Sequence, residues 1–141
     1  MVEYRKEVEP IKVVVRYTDG RVLKGYTKDF FPNKPFFRLR PAGTEYKGEG
    51  LEVLIKDLKA VFFVSDFEGN PPYTERKQFG EGERPPGRKV EVTFVDGEVL
   101  VGSNLGYDRH RPGFFLFPVD PQSNNLRVFV VVSAVSNVRF L

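Results

Sequence analysis

One loop of the sequence concentrates side chains suited to binding a ligand. It reads Arg109-His110-Arg111-Pro112-Gly113-Phe114-Phe115. Two guanidinium groups and an imidazole beside aromatic rings can bind a phosphate and stack on a base. The same residues also suit a solvated loop whose charges keep the end of a small domain soluble. Loops of small domains often carry binding, so we predict partner-binding residues here: Arg109, His110, Arg111 and Phe114.

A second loop, residues 30–37, has fewer cations and more aromatic rings. Exposed rings at Phe31 and Phe36 would suit a protein or peptide partner, although phenylalanines in so small a domain are commonly core residues. Arg38 and Arg40 follow on the outward side of a strand. Outward cations usually protect a strand edge from pairing, and the alternative is that they contact nucleic acid together with the first loop.

Catalytic chemistry is poorly represented in the sequence. His110 is the only histidine, and no serine or carboxylate stands at a spacing that suggests a triad. A glycine-rich phosphate loop and a His-Glu-x-x-His helix are both missing. The absence of cysteine excludes disulfides, thiolate metal sites and cysteine nucleophiles. We therefore predict that the protein is not an enzyme and has no cofactor and no metal site.

The elements that position these loops occur twice in the chain. The run that begins at Lys12 is repeated from Lys89, an offset of 77 residues. The register continues through Pro35 and Pro112 to the apolar runs at 51–55 and 128–132, and then to 61–64 and 138–141. We predict an N-terminal unit over 1–69 with its core at 12–64, a linker over 70–88 and a C-terminal unit over 89–141. The linker is rich in proline and glycine, which disfavour both strand and helix, and residues 1–10 read as a tail.

Each copy has the pattern of a β-structure. Apolar and polar residues alternate before two Asp-Gly turns, Asp19-Gly20 and Asp96-Gly97, and this is a strong hairpin signal. Gly25 and Gly102 stand where the second strand must bend. Five short strands in each copy, with no helical periodicity, predict an all-β protein made of two tandem five-stranded small barrels, because curling removes exposed sheet edges. The small core of each copy favours packing of the copies on each other.

The repeat resembles the Sm-like small barrels and, more broadly, the SH3-like barrels. The second copy has Asp96-Gly97, then Gly102, then Asp108 in the Sm spacing, whereas Phe31 replaces the last Asp in the first copy. The Sm-like residues that hold an RNA base are replaced, since Pro35 and Pro112 stand at the Asn position. Uncharacterised bacterial tandem domains share the pattern, which implies a fold and no activity. The resemblance also suggests ring assembly through strand edges.

A weaker similarity concerns the PilZ receptors for cyclic dinucleotides. These receptors combine an Arg-x-x-x-Arg linker with an Asp/Asn-x-Ser-x-x-Gly motif on a β-barrel. Arg84 and Arg88 reproduce the first spacing, and Ser103 and Gly106 match part of the second, but Val101 replaces the acidic or amide residue. A cyclic-dinucleotide receptor is therefore a less favoured alternative.

Composition adds few constraints. The chain has 22 Lys and Arg against 19 Asp and Glu, interleaved along its length, for a net charge of +3. No apolar run is long enough to span a bilayer, and the charged N-terminal run does not read as a secretory signal. We predict a cytoplasmic binding or assembly module that makes protein–protein or self-assembly contacts and does not enter a membrane. The alternative is RNA or DNA binding through Arg109, His110, Arg111, Arg38 and Arg40.

Overall fold

A computed structural model describes residues 10–43, 48 and 50–141. The described chain is all-β, as predicted, and its helical content is limited to single 3-10 turns at Ile55–Asp57 and Val132–Ala134. The predicted tail lies outside the described residues except for Pro10. The ten strands are β1 Ile11–Tyr17, β2 Val22–Thr27, β3 Phe36–Pro41, β4 Leu51–Leu54, β5 Leu58–Val64, β6 Arg88–Phe94, β7 Val99–Asn104, β8 Gly113–Pro118, β9 Asn125–Val131 and β10 Val135–Phe140.

All ten strands join one antiparallel sheet in the order β10-β6-β7-β8-β9-β5-β1-β2-β3-β4. Within repeat 1 (β1–β5) the pairs are β1–β2, β2–β3, β3–β4 and β1–β5. Repeat 2 (β6–β10) has the same pairs among its own strands. The repeats are joined where β5 pairs with β9, the fifth strand of one with the fourth strand of the other. The two sets of five strands, expected as separate units, thus pair into one continuous sheet.

Both predicted hairpins are present, and the Asp-Gly pairs explain their geometry. Gly20 and Gly97 have φ values of +95° and +93°, which glycine adopts without strain. The carboxylates of Asp19 and Asp96 each accept a backbone N–H two residues later, at 3.0 Å in both turns. The repeated sequence therefore produces the same turn twice.

The two strand glycines are required by a close approach between strands. At Gly25 in β2, a Cβ atom would collide with the carbonyl oxygen of Arg40 in β3. At Gly102 in β7, it would collide with the carbonyl oxygen of Phe117 in β8. Both glycines are buried, so any side chain there would force neighbouring backbones apart.

Two hydrophobic cores lie on the sheet, and each takes residues from both repeats. Core 1 is built on repeat 1 but includes Phe129 and Val131 of β9. Core 2 is built on repeat 2 but includes Ala60, Phe62 and Val64 of β5. Strands β5 and β9 therefore bury side chains on both faces, and neither repeat completes its core alone.

An ion-pair cluster adds a second connection between the repeats. Lys59 of β5 donates to Asp96 at 2.7 Å and to Glu98 at 2.6 Å, both in the hairpin of repeat 2. Hydrogen bonds from Lys59 and from the Glu98 backbone N–H lower the pKa of Asp96. The predicted turn residue Asp96 thus also holds the two repeats together.

Candidate functional site

An open groove lies between the repeats and is lined by equivalent positions of both. Its walls contain four pairs related by the repeat offset: Pro35 and Pro112, Leu54 and Val131, Ile55 and Val132, and Lys56 and Ser133. His110 and Arg111 complete the lining, and the groove encloses about 700 Å³. We call it the inter-repeat groove. Its size is within the range of ligand sites in proteins.

The same backbone contact shapes the groove wall in both repeats. The N–H of Ile55 donates to the carbonyl of Pro35 at 2.9 Å, and the N–H of Val132 donates to the carbonyl of Pro112 at 2.9 Å. These bonds hold each 3-10 turn against the loop before the third strand. The backbone of both walls is therefore held by the same hydrogen bond in each repeat.

Three cationic or titratable side chains, Lys56, His110 and Arg111, stand exposed at this groove. Among the described residues that line the groove there is no carboxylate, and the nearest described ion pair joins Arg111 to Asp108 at 3.8 Å. Asp108, which the Sm-type spacing singled out, accepts the backbone N–H of His110 at 2.9 Å and so shapes the loop. An aliphatic groove with a positive rim favours an apolar ligand that carries negative charge.

The other residues predicted in the first loop do not reach the groove. Arg109 is exposed but is not part of the lining. Phe114 is buried in core 2, where its ring packs against Tyr107 at 5.0 Å between centroids, so it is not accessible to a partner. Inward alternation along β8 explains this placement, because Phe114 and Leu116 face the same core.

The aromatic loop of repeat 1 divides between core and surface. Phe30 packs edge-to-face on Phe63 and on Phe129, with 5.1 Å between ring centroids in each case. Phe31 is exposed beneath the Lys34 ammonium, 4.6 Å from its ring centroid, and Phe36 is half-buried. The exposed aromatic surface is therefore much smaller than the sequence of the loop suggests.

Arg38 and Arg40 lie apart from the first loop. They are exposed on β3, opposite in direction to the buried Phe37 and Leu39, as the alternation predicted. Both border a separate cavity that also includes Tyr26 and that shares no lining residue with the inter-repeat groove. The cations of the nucleic-acid hypothesis thus do not converge on a single pocket among the described residues.

Residues 65–87 contact both repeats, and Asp120 is their main point of attachment to repeat 2. Its carboxylate accepts the Tyr73 hydroxyl at 2.5 Å, the Arg76 backbone N–H at 3.0 Å and the Gln122 backbone N–H at 2.9 Å. The hydrogen bond from Tyr73 is the largest cause of a lowered pKa at Asp120, and it raises the pKa of Tyr73. A local motif predicts only that an Asp in a turn accepts a hydrogen bond from its own turn, as Asp120 does from Gln122.

Neighbouring residues of the same loop strengthen this attachment. Asn124 donates to the carbonyl of Asp66 at 2.9 Å, and Ser123 donates to the carboxylate of Glu75. Within the linker, Arg76 binds Glu83, and this contact lowers the pKa of Glu83 to about 2. The sequence carries only a weak signal for this docking, the cluster of polar residues Asp120, Ser123 and Asn124 in one loop.

The linker forms one wall of a second cavity of about 480 Å³, which we call the linker cavity. It brings together parts of both PilZ-like segments, since Arg84 and Ser103 line it. Arg88 instead stacks on Phe140, 3.9 Å from the ring centroid, and Val101 lines a neighbouring cavity. The residues of the PilZ-type pattern are therefore not assembled around one cavity.

Across the described part of the chain, no three His, Cys, Asp or Glu side chains are grouped so that they could hold a metal ion. Within the same residues, no helix has the length and apolarity needed to cross a membrane. No curated protein and no solved structure matches the sequence significantly. A family model, described as a family of unknown function (DUF6982), matches residues 9–141, so the chain belongs to this family.

Proposed function

We propose that the protein is a non-enzymatic cytoplasmic binding module whose inter-repeat groove takes an extended aliphatic segment of a partner protein flanked by carboxylates. The observation that carries the proposal is the lining of this groove. Paired proline, leucine, isoleucine and valine residues from both repeats form its walls, and Lys56, His110 and Arg111 stand at its edge. Aliphatic side chains of a partner would fill the groove, and its carboxylates would meet the cations.

The nature of the walls favours a protein segment over a nucleic acid. Proteins that bind single-stranded nucleic acids stack the bases on aromatic side chains. The described lining of the groove contains no aromatic ring. Arg38 and Arg40 border a different cavity, so they would not extend a phosphate path from Arg111. RNA or DNA binding through these arginines is the alternative that the experiment below tests.

The ends of the sheet favour a different partner over further copies of this chain. The β5–β9 junction buries Phe62 and Phe129 in the two cores. The equivalent residues on the end strands are Arg139 of β10 and Glu52 of β4, both exposed. Arg139 also bonds Glu91 of its own repeat at 3.0 Å. Charges at such positions discourage edge-to-edge pairing, so β4 and β10 are poorly suited to pair between two chains in the way that β5 and β9 pair within one.

We also propose that each repeat curls into a five-stranded small barrel of the Sm-like or SH3-like kind. The support is that both repeats share one strand pairing pattern, and that a single 3-10 turn connects the fourth strand to the fifth in each. Each of the two cores is also built mainly from the residues of one repeat. A determined structure with well-separated, uncurled repeats would contradict this proposal.

A blocked peptide with sequence Glu-Leu-Val-Leu-Glu, labelled for fluorescence polarisation, tests the groove. We expect the Lys56→Glu/Arg111→Glu double variant to weaken binding by about tenfold or more, since it reverses two rim charges. The matched control is Arg109→Glu, which changes an exposed cation in the same loop outside the groove lining. If Arg109→Glu weakens peptide binding as much as the double variant does, the peptide is attracted by the overall charge of the loop and does not bind in the groove.

A second titration separates the two kinds of macromolecule. Under the proposal, a single-stranded oligouridylate binds weakly, and the Arg109→Glu variant does not alter its affinity. If the oligouridylate binds tightly, with an affinity that falls steeply between low and moderate salt, while the peptide does not bind, the nucleic-acid function replaces this proposal.

A further inference from the structure

The linker cavity has the composition of a small-molecule site. Its walls are largely apolar and include Phe79, Pro85, Pro86 and Phe117. Leu105 and Leu126 flank it and are both exposed, so apolar surface continues to the mouth. Mostly apolar pockets with a few convergent polar groups are the usual form of small-ligand sites, and the cavity volume of about 480 Å³ is in their range.

Ser103 supplies the first polar group. It lies on β7 opposite Phe117 of β8, on the face of the sheet away from the buried Leu116. Ser103 is only 5% exposed and lines the cavity. Among the described residues, the Ser103 hydroxyl has no hydrogen-bond partner. Because no fully buried side-chain polar atom there lacks a partner, this hydroxyl is not fully buried and can be reached from the cavity. The hydroxyl is therefore available to a molecule in the cavity.

Asp120 supplies the second polar group and the charge. It is 7% exposed, lines the cavity and receives its hydrogen bonds from neutral donors. Oδ2 accepts two of these bonds and Oδ1 accepts one, so Oδ1 keeps acceptor capacity. The lowered pKa of Asp120 is consistent with a carboxylate that stays ionised at neutral pH.

Two further charges border the cavity. Glu83 is engaged by Arg76 at 2.9 Å and by the Gly80 N–H at 2.9 Å, so its charge is balanced within the linker. Arg84 is exposed and stands on the linker wall. The buried charge of the cavity is thus the single negative charge of Asp120. Binding a cation beside a poorly hydrated carboxylate gives a strong, charge-assisted hydrogen bond.

We propose that the linker cavity binds a small, mostly apolar primary amine, whose ammonium group donates to Asp120 and to Ser103 while its apolar body fills the space between the linker and repeat 2. This site shares no lining residue with the inter-repeat groove. The proposal therefore does not depend on the groove function. The amine would also contact Phe79 and Pro85, and so it would stabilise the docked linker.

Three probes of similar shape test this proposal on the full chain: 2-phenylethylamine, 2-phenylethanol and 3-phenylpropanoate. Amide shifts in proton–nitrogen NMR spectra give both the location and the affinity. We expect saturable shifts at Ser103, Leu105 and Leu126 with the amine. The alcohol should bind about tenfold more weakly, because it lacks the charge-assisted bond, and the carboxylate should show no saturable binding. Equal affinities for all three probes would overturn the proposal.

Variants locate the effect in the cavity. Leu126→Lys places a positive charge at the exposed mouth and should abolish amine binding. The matched control Val22→Lys alters an exposed apolar residue on β2 that lines neither the linker cavity nor the inter-repeat groove, and it should leave amine binding unchanged. Retained amine binding in Leu126→Lys, or shifts confined to the inter-repeat groove, would reject the site. The Lys56→Glu/Arg111→Glu variant should bind the amine normally even if the groove proposal fails.

Discussion

Phe129 provides the most direct test of the shared cores. It belongs to β9 of repeat 2, but its ring is 0% exposed inside core 1 of repeat 1. The ring packs edge-to-face on Phe30 at 5.1 Å and on Phe115 at 5.3 Å between centroids. The change Phe129→Ala therefore removes a complete aromatic side chain from a core that lies mostly in the other repeat.

The expected cost follows from this burial. Replacing a fully buried phenylalanine by alanine costs about 3–5 kcal/mol of unfolding free energy, because the cavity relaxes only in part. This is a large fraction of the roughly 5–15 kcal/mol that stabilises a typical domain. The equivalent position of repeat 1 is Glu52, which is exposed on the end strand β4. Glu52→Ala is thus a matched control and should change the free energy by less than about 0.5 kcal/mol.

Urea unfolding followed by circular dichroism and by tyrosine fluorescence gives the measurement. We expect one transition in both signals, and a midpoint for Phe129→Ala that is lower by about 2 M, given a urea dependence of about 1–3 kcal/mol per molar. The reasoning is refuted if Phe129→Ala costs no more than Glu52→Ala. It is also refuted if the variant splits unfolding so that repeat 1 keeps its full stability.

Three further predictions concern the backbone and the linker. Gly102→Ala should lower the free energy of unfolding by about 2 kcal/mol or more, because its Cβ atom would meet a carbonyl oxygen. Gly106→Ala is the control and should have no such effect, because the space around Gly106 is open. Thermal unfolding of both variants measures the difference. Tyr73→Phe removes a hydrogen bond to Asp120 and should speed proteolysis of the linker without altering the melting of the sheet. The hydrogen bond between Arg76 and ionised Glu83 should be intact above pH 4.5 and should be lost as the pH falls through about 2. The NMR shift of the Glu83 carboxyl carbon should therefore change with a midpoint at about 2 rather than at 4.5.

Much of the strand content could be predicted because local signals are strong in this sequence. The Asp-Gly pairs at 19–20 and 96–97 form the turns they predict, and the alternation around Arg38 places its neighbours in the core. The single sheet was harder to anticipate, because pairing between β5 and β9 joins residues far apart in the chain. A signal did exist: the runs 61–64 and 128–131 are continuously apolar, which is typical of strands buried on both faces.

The candidate site was predictable only in part. The loop of His110 and Arg111 was identified from its residue types, and both residues line the inter-repeat groove. The opposite wall at Leu54 and Lys56 was not identified, because it is set by the tertiary position of β4 rather than by a local motif. The role of Asp120 in holding the linker has no local signal, because its bonds to Tyr73 and Arg76 connect positions more than forty residues apart.

The β5–β9 junction has a consequence for how the molecule behaves on dilution. The contact between β5 and β9 is made within one chain, so its effective concentration does not depend on how much protein is present. Each folded chain therefore carries both walls of the inter-repeat groove. Under the proposed groove function, binding of a partner would need no prior association of two chains, so occupancy of the groove would show no threshold set by assembly of the receptor.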